Sequence, residues 1–141
     1  MRRTSIVVVE DDGPVRLTVC EVLESSGYDV HGFATAEAAL DEMGRMQDVA
    51  LLVADIVLPG MDGIAMAAHW ESLRPGARSL LMTGAGGEFA TPRTILRKPF
   101  RVQELIDSVR RVLAEGVPEG VAPTIAGRQF GLPSEQSAPS A

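Results

Sequence analysis

The sequence contains four short sets of polar residues whose types suit phosphoryl chemistry. Three acids, Glu10 to Asp12, follow one apolar stretch, and Asp55 follows another. Thr83 ends a third apolar stretch, and Lys98 follows a fourth. Carboxylates that converge repel one another, so they either hold protons more tightly or bind a cation. Oxygen ligands favour a hard cation, Mg²⁺ above all. A lysine and a hydroxyl nearby could stabilise the oxygens of a transferring phosphoryl group, which an aspartate can accept as an acyl phosphate.

Five short segments that could position these residues are predicted strands. Three of them are continuous apolar runs, which a parallel sheet covered on both faces requires. The predicted strands cover approximately residues 5–9, 29–32, 49–54, 79–82 and 94–97. Helical patterns separate most of them, so we predict an α/β fold with a doubly wound parallel sheet. The functional crevice of such a sheet lies beyond the carboxyl ends of its strands, where the polar residues above are found.

Local signals mark the helices between these strands. Pro14 suits a first helical turn, and Thr35 is a candidate N-cap. Asp62-Gly63 is read as a turn and helix start in which Gly63 permits a tight backbone geometry. Apolar residues at helical spacing predict a last helix from Val102. The stretch 84–93 holds three glycines and one proline and is too short for an ordinary helix with its loops, so we expect a loop or a single turn there.

Composition excludes several classes of function. The formal net charge is −6, which disfavours direct nucleic-acid binding, and the series Arg93, Arg97 and Arg101 is predicted to be solvated. The longest apolar run, Val49 to Ala54, is too short for a membrane span. The single cysteine, Cys20, cannot form an internal disulfide and suits a reducing compartment. We therefore expect a cytoplasmic protein without a membrane partner.

The composition changes near the C-terminus. Residues 115–141 include four glycines, four prolines and three serines, which is typical of a flexible tail. We therefore predict one domain over residues 1–114 and a tail over residues 115–141. Because only four residues precede Ser5, we expect no kinase module ahead of the domain.

Four motifs in this order resemble the signature of the receiver domain of two-component response regulators. They are Val9-Glu10-Asp11-Asp12, residues 55–63 (DIVLPGMDG), Thr83-Gly84 and Lys98-Pro99-Phe100. The resemblance covers approximately residues 5–114. It implies a flavodoxin-like, five-stranded parallel sheet in the order 2-1-3-4-5, with helices on both faces.

The resemblance also implies roles for individual residues. Asp55 would be the phosphoacceptor and a ligand of Mg²⁺. Asp11 would bind the ion directly, Glu10 more indirectly through water, and the backbone carbonyl of Val57 would complete the metal site. Asp12 is the extra acid of its run and could instead help to start the first helix.

Two further residues would act on the phosphoryl group itself. Thr83 would donate a hydrogen bond to one phosphoryl oxygen, and Lys98 would pair with another. The implied function is a phosphorylation-activated signalling switch that accepts the group from a histidine kinase or a histidine phosphotransfer protein. Such a domain is not an enzyme for other substrates, since it catalyses only its own phosphorylation and dephosphorylation. The downstream protein target is not indicated.

The sequence departs from the family pattern in two places. Receivers usually carry Tyr or Phe three residues before the lysine, where this chain has Ile95. The usual fourth helix is shortened or missing in the stretch 84–93. Both departures bear on the usual output mechanism and leave the phosphorylation chemistry unaffected. Val57 and Ala85, two residues beyond Asp55 and Thr83, are apolar and cannot orient an attacking water, so we expect slow autodephosphorylation.

Several alternatives remain open at this stage. The receiver could serve as a phosphate sink without output, or derive from a hybrid histidine kinase. A purely non-covalent interaction module would not need the complete set of site residues. An Asp-nucleophile Mg²⁺ phosphatase would place a second Asp two residues after the nucleophile, where this chain has Val57, and would need a larger cap.

Overall fold

The computed structural model describes residues 3–115, so the predicted tail lies outside the described residues except for Glu115, which is helical. The strands are β1 (Ser5–Val9), β2 (Asp29–Phe33), β3 (Val49–Asp55), β4 (Arg78–Thr83) and β5 (Thr94–Arg97). The helices of the described chain are α1 (Gly13–Ser25), α2 (Ala36–Met43), α3 (Gly63–Leu73) and α4 (Val102–Glu115). Over these residues, no helix is both long enough and apolar enough to cross a bilayer.

The five strands form one sheet in the order β2-β1-β3-β4-β5, and every neighbouring pair is parallel. The predicted doubly wound fold and its strand order are therefore confirmed. Residues 84–93 contain no helix, as expected, so β4 and β5 are joined by a loop.

Each face of the sheet has its own apolar core. Along β3, Leu52 and Ala54 pack with α2 and α3, whereas Leu51 and Val53 pack with α1 and α4. Trp70, from α3, is almost fully buried in the first of these cores. Because successive side chains of a strand point to opposite faces, a continuous apolar run supplies both layers.

Side chains at the predicted starts cap three helices. The carboxylates of Asp12 and Asp62 and the hydroxyl of Thr35 each accept a hydrogen bond from a backbone N–H in the first turn of α1, α3 and α2, respectively. Asp12 thus starts α1, as the sequence suggested. Gly27 follows α1 with φ +99°, which favours glycine and ends the helix.

Arg93 is paired with Glu71 of α3, and Arg97, which is exposed as predicted, holds the loop 84–93. The guanidinium of Arg93 contacts both carboxylate oxygens of Glu71 at 2.6 to 3.1 Å, and its side chain is only 15% exposed. Arg97 donates to two carbonyls of the loop and lies 6.0 Å from the ring of Phe89. The prediction was wrong for Arg93, because sequence spacing does not reveal that Glu71 lies opposite it.

Candidate functional site

The carboxyl ends of four strands bring the predicted chemical groups to one edge of the sheet. Glu10 follows β1 directly, Asp55 is the last residue of β3, Thr83 is the last residue of β4, and Lys98 follows β5. In a parallel sheet these ends lie side by side. The three central ends belong to adjacent strands, because β3 lies between β1 and β4.

The ammonium group of Lys98 joins two carboxylates from different strands. Its Nζ lies 2.5 Å from Oε1 of Glu10 and 2.6 Å from Oδ2 of Asp55. The backbone N–H of Lys98 donates to the carbonyl of Thr83 at 2.7 Å, which holds the lysine beside the end of β4. Its side chain is 21% exposed, so solvent reaches the site only partly.

Every polar group of Glu10 has a partner within the protein. Its carboxylate accepts from Lys98 through Oε1 and from the backbone N–H of Asp12 through Oε2 at 3.2 Å. Its backbone N–H donates to the carbonyl of Phe33, and its own carbonyl accepts from Arg16 at 2.8 Å. Glu10 is 1% exposed. It is therefore a buried, fixed part of the site.

Asp55 is also buried, and each of its carboxylate oxygens has a donor. Oδ1 accepts from the backbone N–H of Val57 at 2.9 Å, and Oδ2 accepts from Lys98. The chain beyond it is held by a bond from the N–H of Ile56 to the carbonyl of Met82. The side chain of Val57 itself is 64% exposed.

The third carboxylate, that of Asp11, is exposed and lies close to the other two. One carboxylate oxygen from each of Glu10, Asp11 and Asp55 lies within 4.8 Å of the other two. With all groups ionised, these three acids and the Lys98 ammonium carry a formal net charge of −2. An all-oxygen donor set with this net negative charge fits a hard divalent cation.

Burial and charge shift two pKa values at the site. Burial raises the pKa of Glu10, and its hydrogen bonds from Lys98 and Asp12 only partly oppose this shift. Burial alone would lower the pKa of Lys98, but the hydrogen bonds to Asp55 and Glu10 outweigh it and leave this pKa raised. The lysine therefore stays cationic while it bridges the two acids.

Thr83 is fully buried beside this group. Its hydroxyl oxygen accepts a hydrogen bond from the N–H of Ala85 at 3.0 Å. A hydroxyl that accepts in this way can still donate its own hydrogen. Thr83 thus places a donor at the same edge of the sheet and ties it to the loop 84–93.

One residue of this neighbourhood escaped the sequence analysis. Arg16 donates to the carbonyl of Glu10, although its position on α1 carries no motif. A basic residue in the first turns of the helix that follows an acidic run is the one signal that could have indicated it.

Known proteins resemble this chain over most of the residues that the structure describes. The family model of the response regulator receiver domain covers residues 6–110. The response regulator receiver protein CpdR of Brucella abortus (strain 2308) is 29% identical over 115 residues, covering 77% of this chain and 95% of that protein. The C4-dicarboxylate transport transcriptional regulatory protein DctD of Rhizobium meliloti (strain 1021) is 33% identical, but the chain spans only 25% of its length.

Solved structures give the same result. A crystal structure of a putative response regulator from Chloroflexus aurantiacus J-10-fl has a TM-score of 0.71 and 29% identity, covering 80% of this chain and 99% of that one. Because the family match extends over most of the chain and includes all four strand ends, the chain belongs to the response regulator receiver domain family and is a phosphorylation-activated signalling switch.

Proposed function

We propose that Asp55 accepts the phosphoryl group from a phosphohistidine of a histidine kinase or a histidine phosphotransfer protein, in a reaction that requires Mg²⁺. The observation that carries this proposal is the position of Lys98 Nζ, within 2.6 Å of carboxylate oxygens of both Asp55 and Glu10, with Asp11 alongside. Family membership supports the phosphorelay, and the site geometry supports the choice of Asp55. Neither the phosphatase nor the non-covalent module is needed to explain these residues.

The transfer uses one carboxylate oxygen of Asp55 as the nucleophile. A new bond forms between that oxygen and phosphorus while the phosphorus–nitrogen bond of phosphohistidine breaks, and the electron pair leaves with the imidazole. With acetyl phosphate as donor, the phosphorus–oxygen bond breaks and acetate leaves. Both oxygens of Asp55 begin the reaction hydrogen-bonded, so the Lys98 ammonium must turn from the carboxylate toward a phosphoryl oxygen.

Asp11, Asp55 and the backbone carbonyl of Val57 are the groups proposed to hold Mg²⁺. Glu10 would contribute through a water molecule, since it is only 1% exposed and its carboxylate is less open to an ion than that of Asp11. The exposed carboxylate of Asp11 suits direct coordination. Bound Mg²⁺ would supply positive charge that offsets the repulsion between the acids and the incoming phosphoryl oxygens.

Lys98 and Thr83 are proposed to bind the phosphoryl group once it is transferred. The lysine supplies a fixed positive charge and the threonine a hydroxyl donor, both at the edge where Asp55 lies. The modification adds roughly 1.5 to 2 negative charges. The Thr83 hydroxyl is hydrogen-bonded to the N–H of Ala85, and Lys98 follows β5, the strand that comes directly after the loop 84–93. Movement of either group would therefore be transmitted to this loop.

The loop 84–93, or the exposed face of α4, is proposed to carry the output. Ile95 packs against the core beside the loop and has no ring to reorient. Converting a domain from mostly inactive to mostly active requires about 5.5 kcal/mol of differential stabilisation. The new contacts of Thr83 and Lys98 would have to supply that difference.

The experiment is labelling with acetyl phosphate in the presence of Mg²⁺, followed by intact-protein mass spectrometry. We expect wild type to gain one phosphoryl group and Asp55→Asn to gain none. The acidic run offers a matched pair: Asp11→Asn should lose Mg²⁺-dependent labelling. Asp12→Asn should retain it, because asparagine also caps α1 well. Labelling of Asp55→Asn, or equal loss in both variants of the pair, would contradict the proposal.

A further inference from the structure

We infer that Arg16 is a positioning residue for the cation site: its guanidinium holds the backbone carbonyl immediately before Asp11. This inference rests on the proposed function, because it concerns how the acidic run is kept ready for Mg²⁺. The guanidinium of Arg16 donates to a backbone carbonyl and not to a carboxylate of the site.

The Arg16 side chain holds one end of the acidic run, and the first turn of α1 holds the other. Its guanidinium donates to the carbonyl of Glu10 at 2.8 Å, and its backbone N–H donates to the carbonyl of Asp12 at 2.9 Å. The bond to Asp12 is the ordinary backbone bond of the first turn and remains in any Arg16 variant, so the arginine side chain itself restrains the carbonyl of Glu10. Since the Asp11 side chain is exposed, its direction depends on the backbone that these bonds restrain.

The stem of Arg16 is itself guided by a glycine on β2. A Cβ atom built on Gly32 would lie 3.5 Å from Cγ and 3.6 Å from Cδ of Arg16, and 2.8 Å from Sγ of Cys20. The arginine stem therefore passes close over the bare backbone of Gly32. Packing in this confined space limits the orientations of the guanidinium and directs it to the end of β1.

Positioning and simple charge predict opposite effects on Mg²⁺ affinity. If Arg16 acted only as a nearby positive charge, its removal would strengthen cation binding, because like charges repel. If it positions Asp11, its removal weakens binding, since the ligand loses its restraint. The groups that orient metal ligands are typically worth about 10- to 100-fold in affinity.

The test is Mg²⁺ titration by isothermal calorimetry on the full chain, with Arg16→Met and Arg16→Lys. Affinity for Mg²⁺ should fall in the order wild type, Arg16→Lys, Arg16→Met, with Arg16→Met weaker than wild type by about tenfold or more. Arg45→Met, which removes an exposed arginine two residues beyond α2, controls for net charge and should change affinity by less than about twofold.

A second readout separates positioning from loss of stability. In Arg16→Met without Mg²⁺, backbone hydrogen exchange at Asp11 and Asp12 should be faster than in wild type. Exchange in the core of β3 should stay as slow as in wild type. Equal or tighter binding by a folded Arg16→Met overturns the inference. If that variant does not fold, Arg16→Lys decides, since it keeps the charge: unchanged affinity overturns the inference and weaker affinity supports it. Failure of wild type to bind Mg²⁺ would instead overturn the proposed function.

Discussion

Replacing Gly63 by alanine should disrupt the join between the acceptor strand and α3. A Cβ atom on Gly63 would lie 2.2 Å from the carbonyl oxygen of Asp55 and 2.9 Å from Cα of Ile56. Ordinary carbon–oxygen contacts are about 3.3 Å or longer, so the start of α3 and the end of β3 would have to separate by about 1 Å. Backbone atoms cannot turn aside as a flexible side chain can. The hydrogen bond from the N–H of Gly63 to the carbonyl of Ile56, now 2.8 Å, would be strained or lost.

The expected cost follows from these contacts. Overpacking of this kind costs about 1–3 kcal/mol, and loss of the hydrogen bond adds about 1 kcal/mol. The higher helix propensity of alanine offsets at most about 1 kcal/mol. We therefore expect the free energy of unfolding to fall by about 1–4 kcal/mol, and the midpoint of thermal unfolding to fall by roughly 4–16 °C.

Urea denaturation measures the stability, and acetyl phosphate labelling under native conditions measures the effect on the site. Because the displaced atoms belong to Asp55 and its neighbour, labelling should slow even where the variant is fully folded. Gly86→Ala is the matched control, since a Cβ there meets nothing within 4 Å; its stability should change by less than about 0.5 kcal/mol. A loss below about 1 kcal/mol in Gly63→Ala, with normal labelling, would refute this reasoning.

Three further predictions concern single side chains. Val57→Asn and Ala85→Glu should each shorten the lifetime of the phosphorylated protein, because a polar group at these exposed positions can orient an attacking water. The measurement is the decay of a radiolabelled phosphoryl group on the protein. Unchanged decay would show that the apolar residues do not set the lifetime. Ile95→Ala and Ile95→Tyr should both retain a phosphorylation-dependent change in hydrogen exchange over the loop 84–93, and its disappearance in either variant would assign the output to Ile95. Alkylation of Cys20 by iodoacetamide at pH 8 should be slower than that of an unstructured peptide thiol and should rise with pH, because burial raises its pKa above the ordinary value and leaves less thiolate. Equal rates for Cys20 and the peptide would contradict the buried environment.

Local sequence patterns were sufficient to predict the elements and the edge at which the site lies. The apolar runs before Asp55 and Thr83 identify buried strands, because covering both faces of a parallel sheet leaves little place for polar residues. Asp12, Thr35 and Asp62 start their helices through hydrogen bonds that span only three residues. Such interactions form between near neighbours in the chain, so the sequence alone indicates them.

The contacts between these elements could not be predicted in the same way. The bond from Lys98 to Glu10 joins residues 88 positions apart, and its distance depends on the register of four strands. The partners of Arg16 and Arg93 likewise depend on which helix packs on which face and on side-chain conformation. The sequence by itself determined which groups stand at the strand ends, because hydrophobic burial selects the strands. Only tertiary structure decided which carboxylates share the lysine and which carbonyls an arginine holds, because those pairings arise when distant segments pack together.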